Sequence, residues 1–379
     1  MHTTKHLIVG AGMTGDMAAK GIRDHDSGGS ITMIGGDPHP PYKRPLLTKG
    51  LWAGAPEEKV WREPAEGVEL VTGCSIVSLD LDAHTATDSA GEEYEWEKLM
   101  LATGSKPRMI PGAEGVVWYR TLDDYRRVRA VAREGAHIAV IGGGFIGSEL
   151  TAGLINNGCR VTMLFPEPGI SFRLFPEGLS NSVTDYYREK GAEVLTGEKV
   201  EAASGDRVET GSGRTIEADA VVAGLGVVPD TELAENTGMD VDDGIVVDKY
   251  GHASGRDDVF AAGDVARFPV LALGTTMRVE HEDHANSHGR LVGANMAGAD
   301  TPYDHIPFFY SDLFDLGYEA VGVVDSRLEI VEDWQEPNRK GVVTYVEDGK
   351  PRGVLLWNVW DKLDDARELI RAGEGALAV

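Results

Sequence analysis

Short apolar runs alternate with amphipathic segments along the chain, and two of these alternations have the same form. Residues 7–9 are apolar and are followed by a glycine-rich turn, a segment of helical period over 13–23 and a second apolar run at 31–34. Residues 138–141 are followed in the same way by a glycine-rich turn and a helical segment at 148–157. Because apolar runs favour buried strands and a period of 3.6 favours helices, the pattern predicts two β-α-β units.

The two turns share the spacing G-x-G-x-x-G. Their glycines are Gly10, Gly12 and Gly15 in the first turn and Gly142, Gly144 and Gly147 in the second. With 48 glycines in 379 residues the pattern alone is weak, but both copies lie between a predicted strand and a predicted helix. In that context backbone N–H groups and a helix N-terminus can hold a pyrophosphate. Two such turns indicate an enzyme that binds two dinucleotides and passes electrons between them.

The segments between and after these units contain further strands and turns. A proline-rich loop occupies 37–45, and the stretches 68–72 and 75–81 predict antiparallel strands. Thr121 is expected to cap a helix over 122–133.

Three predicted strands end in glycine turns. The first turn contains Thr103 and Gly104, the second contains Gly226, and the third contains Gly263 and Asp264. From about residue 301 aromatic-rich strands and a last helix near 363–371 predict a separate α+β domain.

Composition limits the classes of function. A chain of 379 residues fits two or three domains. Its net charge of −26 argues against nucleic acid and anionic membranes as partners, and we interpret the acidity as a solvated surface. Cys74 and Cys159 are far apart, which excludes a close redox pair and favours small core residues. The polar start of the chain and the lack of a long apolar run predict a cytoplasmic protein.

The order of four motifs, the two G-x-G-x-x-G turns and the turns at Thr103–Gly104 and Gly263–Asp264, resembles the two-dinucleotide flavoprotein disulfide-reductase superfamily. Residues 42–49 resemble a loop shared by the ferredoxin reductases and the apoptosis-inducing factors, and residues 277–285 are closer to the apoptosis-inducing factor branch. The resemblance implies an α/β fold with two Rossmann-like domains and a C-terminal α+β domain. Its implied boundaries are 1–114 with 243–300 for a discontinuous FAD domain, 115–242 for an NADH domain, and 301–379 for the third domain.

The resemblance also implies which residues hold FAD. The first three glycines would admit the pyrophosphate, and Arg44, Thr103, Gly104 and Arg108 would line the cofactor. The family has a Glu where this chain has Gly36. Asp37 is therefore the candidate to bind the adenosine ribose. Asp264 would hold the ribityl chain, with a helix N-cap as the alternative.

Lys49 and Glu149 would form an ion pair beside the flavin N5, where a cation stabilises the reduced flavin. For Glu149 the alternative is an exposed acid in a helix first turn. Phe145 and His281 would be stacked rings on the nicotinamide side, although Phe145 also suits a core.

Glu280 would accompany His281 or be solvated, and Tyr310 would lie near the nicotinamide or adenine or in the core. His284 and His288 have the spacing of a shared metal site, but no third ligand follows from the sequence, so no metal is predicted.

The three glycines of the second turn, Gly142, Gly144 and Gly147, would hold NADH together with Gly226. Glu167 follows the second strand of that unit and would bind ribose hydroxyls, and no Arg precedes Arg173 there, which favours NADH over NADPH.

The predicted function is an FAD-dependent NADH oxidoreductase. Its electron acceptor is not identified by the sequence and could be a quinone, a dye or a small redox protein. The alternatives are a ferredoxin or rubredoxin reductase, and a slowly turning over, NADH-responsive redox scaffold with a redox-linked homodimer.

Overall fold

The computed structural model describes residues 1–378, and its elements follow the periodicities of the sequence. The helices in this range are α1 (Met13–His25), α2 (Leu122–Val131), α3 (Phe145–Asn156), α4 (Glu177–Glu189), α5 (Glu232–Asn236), α6 (Glu282–Met296) and α7 (Leu363–Ala372). The strands before residue 200 are β1 (His2–Val9), β2 (Ile31–Gly35), β3 (Val68–Thr72), β4 (Ile76–Asp80), β5 (Thr85–Asp88), β6 (Glu93–Leu101), β7 (Ser105–Pro107), β8 (Val117–Trp118), β9 (His137–Ile141), β10 (Arg160–Phe165) and β11 (Glu193–Thr196). The later strands are β12 (Val200–Ala203), β13 (Arg207–Thr210), β14 (Thr215–Glu217), β15 (Ala220–Ala223), β16 (Val227–Pro229), β17 (Ile245–Val246), β18 (Val259–Ala261), β19 (Ala266–Val270), β20 (Thr275–Met277), β21 (Phe308–Leu313), β22 (Leu316–Gly322), β23 (Glu329–Glu336), β24 (Lys340–Glu347) and β25 (Lys350–Trp357).

The chain forms two compact units, each built from three segments. The first unit consists of Met1–Lys43, Val60–Lys106 and Val228–Pro307. The second unit consists of Arg44–Lys59, Pro107–Val227 and the chain from Phe308 onward. The first unit is therefore interrupted twice, and the short segment 44–59 belongs to the second unit. The boundaries of three domains given above stay a prediction.

A seven-stranded sheet forms the centre of the first unit, in the order β3-β2-β1-β6-β5-β4 with β18 also paired to β6. The strands β1, β2, β3, β6 and β18 run parallel, whereas β5 is antiparallel to both β4 and β6. The prediction of antiparallel strands is confirmed for the stretch 75–81, since β4 is antiparallel to β5, and is wrong for the stretch 68–72. Residues 68–72 extend the parallel sheet beside β2, because their apolar positions Val68 and Leu70 pack against the core of the β-α-β unit.

The helices α1 and α6 pack closely in the first unit because each has a glycine that lies against the backbone of the other helix. A Cβ atom added at Gly21 would lie 1.9 Å from the carbonyl oxygen of Arg290, and one added at Gly293 would lie 2.1 Å from that of Ala18. No larger residue fits at these crossings. Buried apolar residues of both helices and of the sheet, such as Ile22 and Val292, complete this core.

A five-stranded parallel sheet, β11-β10-β9-β15-β8, forms the first layer of the second unit. Helix α2 is capped as predicted, because Thr121 Oγ1 accepts the N–H of Asp124 and the Asp124 carboxylate accepts the N–H of Thr121. An antiparallel sheet, β21-β22-β25-β24-β23, forms the C-terminal part. One buried cluster joins α4 to this sheet and includes Phe175 and Trp357. Two β-α-β units and a C-terminal α+β part confirm the predicted fold class.

Candidate functional site

The first glycine turn lies between β1 and α1. Gly10 has φ +120°, and a Cβ atom there would lie 2.0 Å from the carbonyl oxygen of Ala102, so only glycine fits. Gly12 is the N-cap of α1 and has no side-chain capping bond. Apart from the adjacent residues of the turn, no heavy atom among residues 1–378 lies within 4 Å of a Cβ atom added at Gly12. The N–H groups of the first helical turn thus face open space, which fits the pyrophosphate of a dinucleotide.

The second glycine turn lies between β9 and α3 and has the same construction. Gly142 has φ +121°, and its Cβ would lie 2.3 Å from the carbonyl oxygen of Gly224. Gly144 caps α3 without a side-chain bond and, apart from the adjacent residues of the turn, its Cβ would meet no atom of the described part of the chain within 4 Å. The second turn therefore fits a pyrophosphate as well as the first does.

The strands that touch these turns also end in glycines with a left-handed backbone. Gly104 follows β6 with φ +72°, and Gly226 follows β15 with φ +80°. Thr103 donates its hydroxyl to the carbonyl oxygen of Asp230 at 2.7 Å. The exposed Arg108 is linked to Gly226 through its backbone N–H, at 2.9 Å.

Asp37, the acidic residue after β2, forms hydrogen bonds with other residues of its own loop. Asp37 Oδ1 accepts the N–H of His39 at 3.1 Å, and Oδ2 accepts the Tyr42 hydroxyl at 2.8 Å. A Cβ atom at Gly36 would lie 2.4 Å from Ser75 Oγ, so the family's Glu would displace that hydroxyl. The role of Asp37 in ribose binding stays a prediction.

The motif after β18 is a short 3₁₀ turn. Gly263 has φ +74° and donates its N–H to His288 Nδ1 at 3.3 Å. Asp264 Oδ2 accepts the Ser105 hydroxyl at 2.8 Å. The alternative of a helix N-cap does not apply to Asp264, because the N-cap of this turn is Ala262. The hydroxyl bond fixes the Asp264 carboxylate just beyond the carboxyl end of β18.

Three histidines, His281, His284 and His288, follow this turn along the chain, and the last two are buried. Burial lowers the pKa of His281 to about 4, against the opposing charges of Asp264 and Asp283. Burial likewise lowers the pKa of His288 to about 3 and that of His284 well below its usual range. These imidazoles are therefore neutral at physiological pH.

The rings of His284 and His288 are stacked at 4.6 Å, and His284 Nδ1 lies 3.1 Å from the Tyr303 hydroxyl. Within residues 1–378 no group of three or more His, Cys, Asp or Glu side chains is arranged to hold a metal ion. Glu280 accepts a hydrogen bond from Arg278 Nη1 at 2.8 Å.

Lys49 and Glu149 form an ion pair in the second unit, with side chains 13% and 7% exposed. Thr48 donates its hydroxyl to Glu149 Oε2 at 2.5 Å, and Ser311 donates to Oε1 at 2.6 Å. Lys49 Nζ also lies 4.9 Å from the centre of the Tyr310 ring. The alternative of an exposed acid at Glu149 is wrong, because three donors surround a buried carboxylate.

Sequence reasoning missed Thr48 and Ser311 as partners of this carboxylate. Thr48 is adjacent to Lys49 in sequence, so its place in the site could have been inferred. Ser311 is 162 residues from Glu149 and lies on a strand whose register only the folded sheet defines. Breaking a buried pair of this kind by removing one partner typically costs about 3–5 kcal/mol.

Two other predicted cofactor residues have contacts within the second unit. The ring of Phe145 packs edge-on against Phe309 at 5.3 Å and borders the cluster that joins α4 to the C-terminal sheet. Arg44 Nη1 donates to the carbonyl oxygen of Arg120 at 2.8 Å. These contacts neither test nor replace the predicted roles toward FAD and NADH.

A cleft of about 810 Å³ lies at the carboxyl end of β10 in the second unit. Glu167 lines it, and Glu167 Oε1 accepts a hydrogen bond from Arg173 Nη2 at 2.9 Å. Crevices at the carboxyl ends of parallel strands are the usual sites for dinucleotides. The cleft is thus the second unit's candidate for a nucleotide.

Both cysteines are free. Cys74 is half-buried in the first unit, and Cys159 is buried in the second. Burial raises the pKa of the Cys159 thiol. A buried thiol of this kind is a poor nucleophile at neutral pH.

Comparison with known proteins gives one consistent result. Residues 4–289 match the family model described as pyridine nucleotide-disulphide oxidoreductase, and residues 292–338 match that of the C-terminal part of apoptosis-inducing factor, mitochondrion-associated. The mitochondrial apoptosis-inducing factor 1 of Dictyostelium discoideum is 33% identical over 97% of this chain and 78% of its own length. The ferredoxin–NAD(+) reductase component of the anthranilate 1,2-dioxygenase system of Burkholderia cepacia is 32% identical over 98% of this chain and 95% of its own.

Among solved structures, the covalent complex of putidaredoxin reductase with putidaredoxin matches with a TM-score of 0.90 at 27% identity, covering 98% of this chain and 94% of that one. None of the helices in residues 1–378 has both the length and the apolar composition needed to cross a membrane.

Proposed function

The chain belongs to the pyridine nucleotide-disulphide oxidoreductase family, as an FAD-dependent NAD(P)H oxidoreductase that passes electrons to a redox partner, and we propose that NADH is its preferred donor. The single observation that carries the assignment is the pair of glycine turns. Both have an uncapped helix N-terminus and a backbone that only glycine can adopt.

We assign FAD to the turn at Gly10 and NADH to the turn at Gly142. The first turn shares its unit with the Gly263–Asp264 motif, whose carboxylate is fixed by Ser105. Bound FAD would supply a two-electron acceptor that can return electrons to a second partner. On this assignment Asp264 and the N–H groups of α1 orient the cofactor, whereas the N–H groups of α3 orient the nucleotide.

The Lys49–Glu149 pair is proposed as the charged element of the redox site. The buried carboxylate of Glu149 is held by three donors, so the ammonium of Lys49 is kept in one position. A fixed cation stabilises negative charge that develops during hydride transfer, and it does so without reorganisation. Thr48 and Ser311 act as positioning residues for this pair.

The preference for NADH rests on Glu167. A carboxylate after the second strand of a β-α-β unit accepts hydrogen bonds from ribose hydroxyls, and it repels a 2′-phosphate. Glu167 follows β10 and lines the cleft there. We therefore propose that NADH is used more efficiently than NADPH.

A small redox protein is the proposed acceptor, since two similar proteins are named as ferredoxin and putidaredoxin reductases. The net charge of −26 favours an acceptor that is not itself strongly acidic. The free thiols are in keeping with a reducing, cytoplasmic setting.

The test begins with purified protein. FAD released by acid is expected at about one per chain, and NADH is expected to support rapid reduction of an artificial dye. FAD far below one per chain, with no recovery after FAD is added, would refute the flavoprotein assignment. Bound FAD with slow turnover on every acceptor and a long-lived reduced state would favour the redox scaffold instead.

A further inference from the structure

The short segment that carries Lys49 packs on helix α3 through a tryptophan. This segment, Arg44–Lys59, belongs to the second unit, although the chain on both sides of it belongs to the first. Its largest buried side chain is Trp52, which is 4% exposed. A Cβ atom added at Gly153 of α3 would lie 2.9 Å from Trp52 Cβ and 3.0 Å from its Cγ. Even a methyl group at Gly153 would therefore displace Trp52.

One side of α3 holds this segment at three successive turns. Glu149, Gly153 and the C-cap Asn157 are each four positions apart, so they lie along one side of the helix. Glu149 forms the ion pair with Lys49, and Gly153 contacts the indole of Trp52. Asn157 Nδ2 donates to the carbonyl oxygen of Trp52 at 2.9 Å. The ion pair and the indole contact are thus two parts of the same packing between the segment and α3.

Other contacts hold the indole in place. Trp52 Nε1 donates to the carbonyl oxygen of Leu47 at 2.9 Å, and the same carbonyl accepts the Tyr119 hydroxyl at 2.5 Å. The indole contacts the ring of Tyr125 edge-on at 5.4 Å, and the guanidinium of Arg129 lies 5.6 Å from its centre. Because a buried indole N–H is costly to leave without an acceptor, these contacts define one position for the ring.

The backbone connects Trp52 directly to Lys49. The carbonyl oxygen of Lys49 accepts the N–H of Trp52 at 3.0 Å and that of Ala53 at 3.1 Å. A displacement of Trp52 therefore moves the backbone from which the Lys49 side chain extends. Since a fixed charge is most effective when it is already in position for the developing charge, such a displacement should weaken the effect of the ammonium.

We propose that Trp52 is a positioning residue for electron transfer, which sets the place of the Lys49 ammonium by packing over Gly153. The inference rests on the proposed function, in which Lys49 stabilises the charge of the reduced flavin. Because Trp52 acts through Lys49, displacing it should change the reduction potential of the flavin as well as the rate of hydride transfer.

The first test is Gly153→Ala, which displaces Trp52 without removing it. Alanine favours a helix more than glycine does, so α3 should stay folded. In the FAD-loaded protein the rate of flavin reduction by NADH should fall about tenfold. The two-electron midpoint potential should fall by about 30 mV, which corresponds to a tenfold loss of stabilisation of the reduced form. An unchanged potential would overturn the proposal.

Gly178→Ala is the matched control for this variant. Gly178 lies in α4 of the same unit, and the nearest atom to its added Cβ, outside its own helix and its chain neighbours, is Asn338 Oδ1 at 3.8 Å. Its rate and potential should equal those of the wild-type protein. Equal changes in Gly153→Ala and Gly178→Ala would mean that any helix glycine has this effect, and the proposal would fail.

A second pair of variants removes an indole N–H. Trp52→Phe loses the bond to the Leu47 carbonyl and should slow flavin reduction about threefold, with a potential lower by about 14 mV. Trp357→Phe loses the N–H of another buried indole in the same unit, which is bonded to the carbonyl oxygen of Asn338 at 3.1 Å. It should change neither quantity. Equal slowing in both variants would show that lost stability controls the rate, which contradicts the proposal.

A double variant tests whether Trp52 acts through Lys49. Lys49→Met removes the ammonium, so adding Gly153→Ala to it should lower neither the rate nor the potential further. A further fall as large as that of Gly153→Ala alone would overturn the proposal. If Lys49→Met by itself leaves the rate and the potential unchanged, the proposed function of the Lys49–Glu149 pair fails, and this inference fails with it.

Discussion

The two glycine turns have almost the same backbone. Gly10 and Gly142 have φ +120° and +121°, and the N-caps Gly12 and Gly144 have φ/ψ of −93°/−163° and −90°/−161°. A Cβ atom at the third glycine of each turn would lie 2.1 Å and 2.0 Å from the carbonyl oxygen of its first glycine. Neither helix N-terminus has a side-chain cap.

The side chains that follow the turns differ. In the first unit, Asp16 lies next to the third glycine and is paired with Arg62 at 2.6 Å and with Lys20 at 2.9 Å. In the second unit the buried acid is Glu149, paired with Lys49. The two turns therefore share a backbone that fits a pyrophosphate, and on the proposed function the neighbouring side chains distinguish the FAD site from the NADH site.

The largest effect is expected from a methyl group at the first glycine of each turn. Gly10→Ala places Cβ against the Ala102 carbonyl in a left-handed backbone, and the protein should lose at least about nine-tenths of its FAD, because a clash with backbone cannot relax cheaply. Gly142→Ala should keep FAD but lower kcat/KM for NADH about 100-fold. Acid-released FAD and dye reduction measure the two outcomes.

Gly91→Ala is the matched control for these variants. Gly91 has φ +87°, and apart from its chain neighbours no atom in residues 1–378 lies within 4 Å of its added Cβ, so only backbone strain of about 1–2 kcal/mol is introduced. Its FAD content and turnover should be normal. Loss of FAD in Gly142→Ala, or full FAD in Gly10→Ala, would mean that the two turns are assigned the wrong way round.

A smaller effect is expected when one buried ion pair is broken in each unit. Glu149→Gln leaves Lys49 without its carboxylate and should slow reduction of bound FAD by NADH about 10- to 100-fold, equal to about 1.4–2.7 kcal/mol of barrier. Asp16→Asn breaks an equally buried pair with Arg62 and should change that rate less than about twofold per bound FAD. Stopped-flow absorbance gives both rates.

Both variants should also unfold at lower denaturant concentration, since each leaves a largely buried cation, Lys49 or Arg62, without its carboxylate. Equal slowing in Glu149→Gln and Asp16→Asn would show that lost stability, and not the charge beside Lys49, controls the rate.

The smallest expected effect is a difference between the two units in how their stability depends on pH. Burial lowers the pKa of His281 to about 4 and that of His288 to about 3, whereas the unfolded chain binds these protons near the ordinary value of about 6.5. As the pH falls from about 6.5 to 4 the unfolded state therefore gains protons first, and the free energy of unfolding falls by at most about 1.4 kcal/mol per pH unit for each histidine. Of the 11 histidines only His137 lies in the second unit.

We therefore expect acid to destabilise the first unit before the second, with FAD released while the second unit is still folded. Urea unfolding at a series of pH values, with flavin fluorescence for release, measures this. His288→Gln should reduce the slope between about pH 6.5 and 4. If the free energy of unfolding depends on pH equally in His288→Gln and in the wild-type protein, His288 does not contribute to the acid sensitivity.

The local sequence pattern was sufficient to predict the strands, glycine turns and helices of the two dinucleotide sites. Residues 7–15 and 138–147 carry their own apolar runs and glycines, and the Thr121 cap needs only a neighbour three residues away. The pairing of β3 could not be predicted, because the choice between β2 and β4 as its neighbour depends on tertiary packing.

The same limit applies to the site. Lys49 and Glu149 were identified through family resemblance, and their contact joins residues 100 positions apart. Ser311 was not found, because a serine in an edge strand carries no local signal of a carboxylate on α3. The pairing of Asp37 with Tyr42 was missed, although both lie in one short loop.

Anaerobic titration of the purified protein with NADH tests the central claim most directly. Because the turn at Gly10 is assigned to FAD and that at Gly142 to NADH, and because Cys74 and Cys159 lie in different units, one NADH per bound FAD should bleach the visible flavin absorbance completely. Flavin that NADH leaves oxidised, but dithionite bleaches, would contradict the assignment of NADH to the second turn. A requirement for two NADH per FAD would reveal a further electron acceptor in the chain.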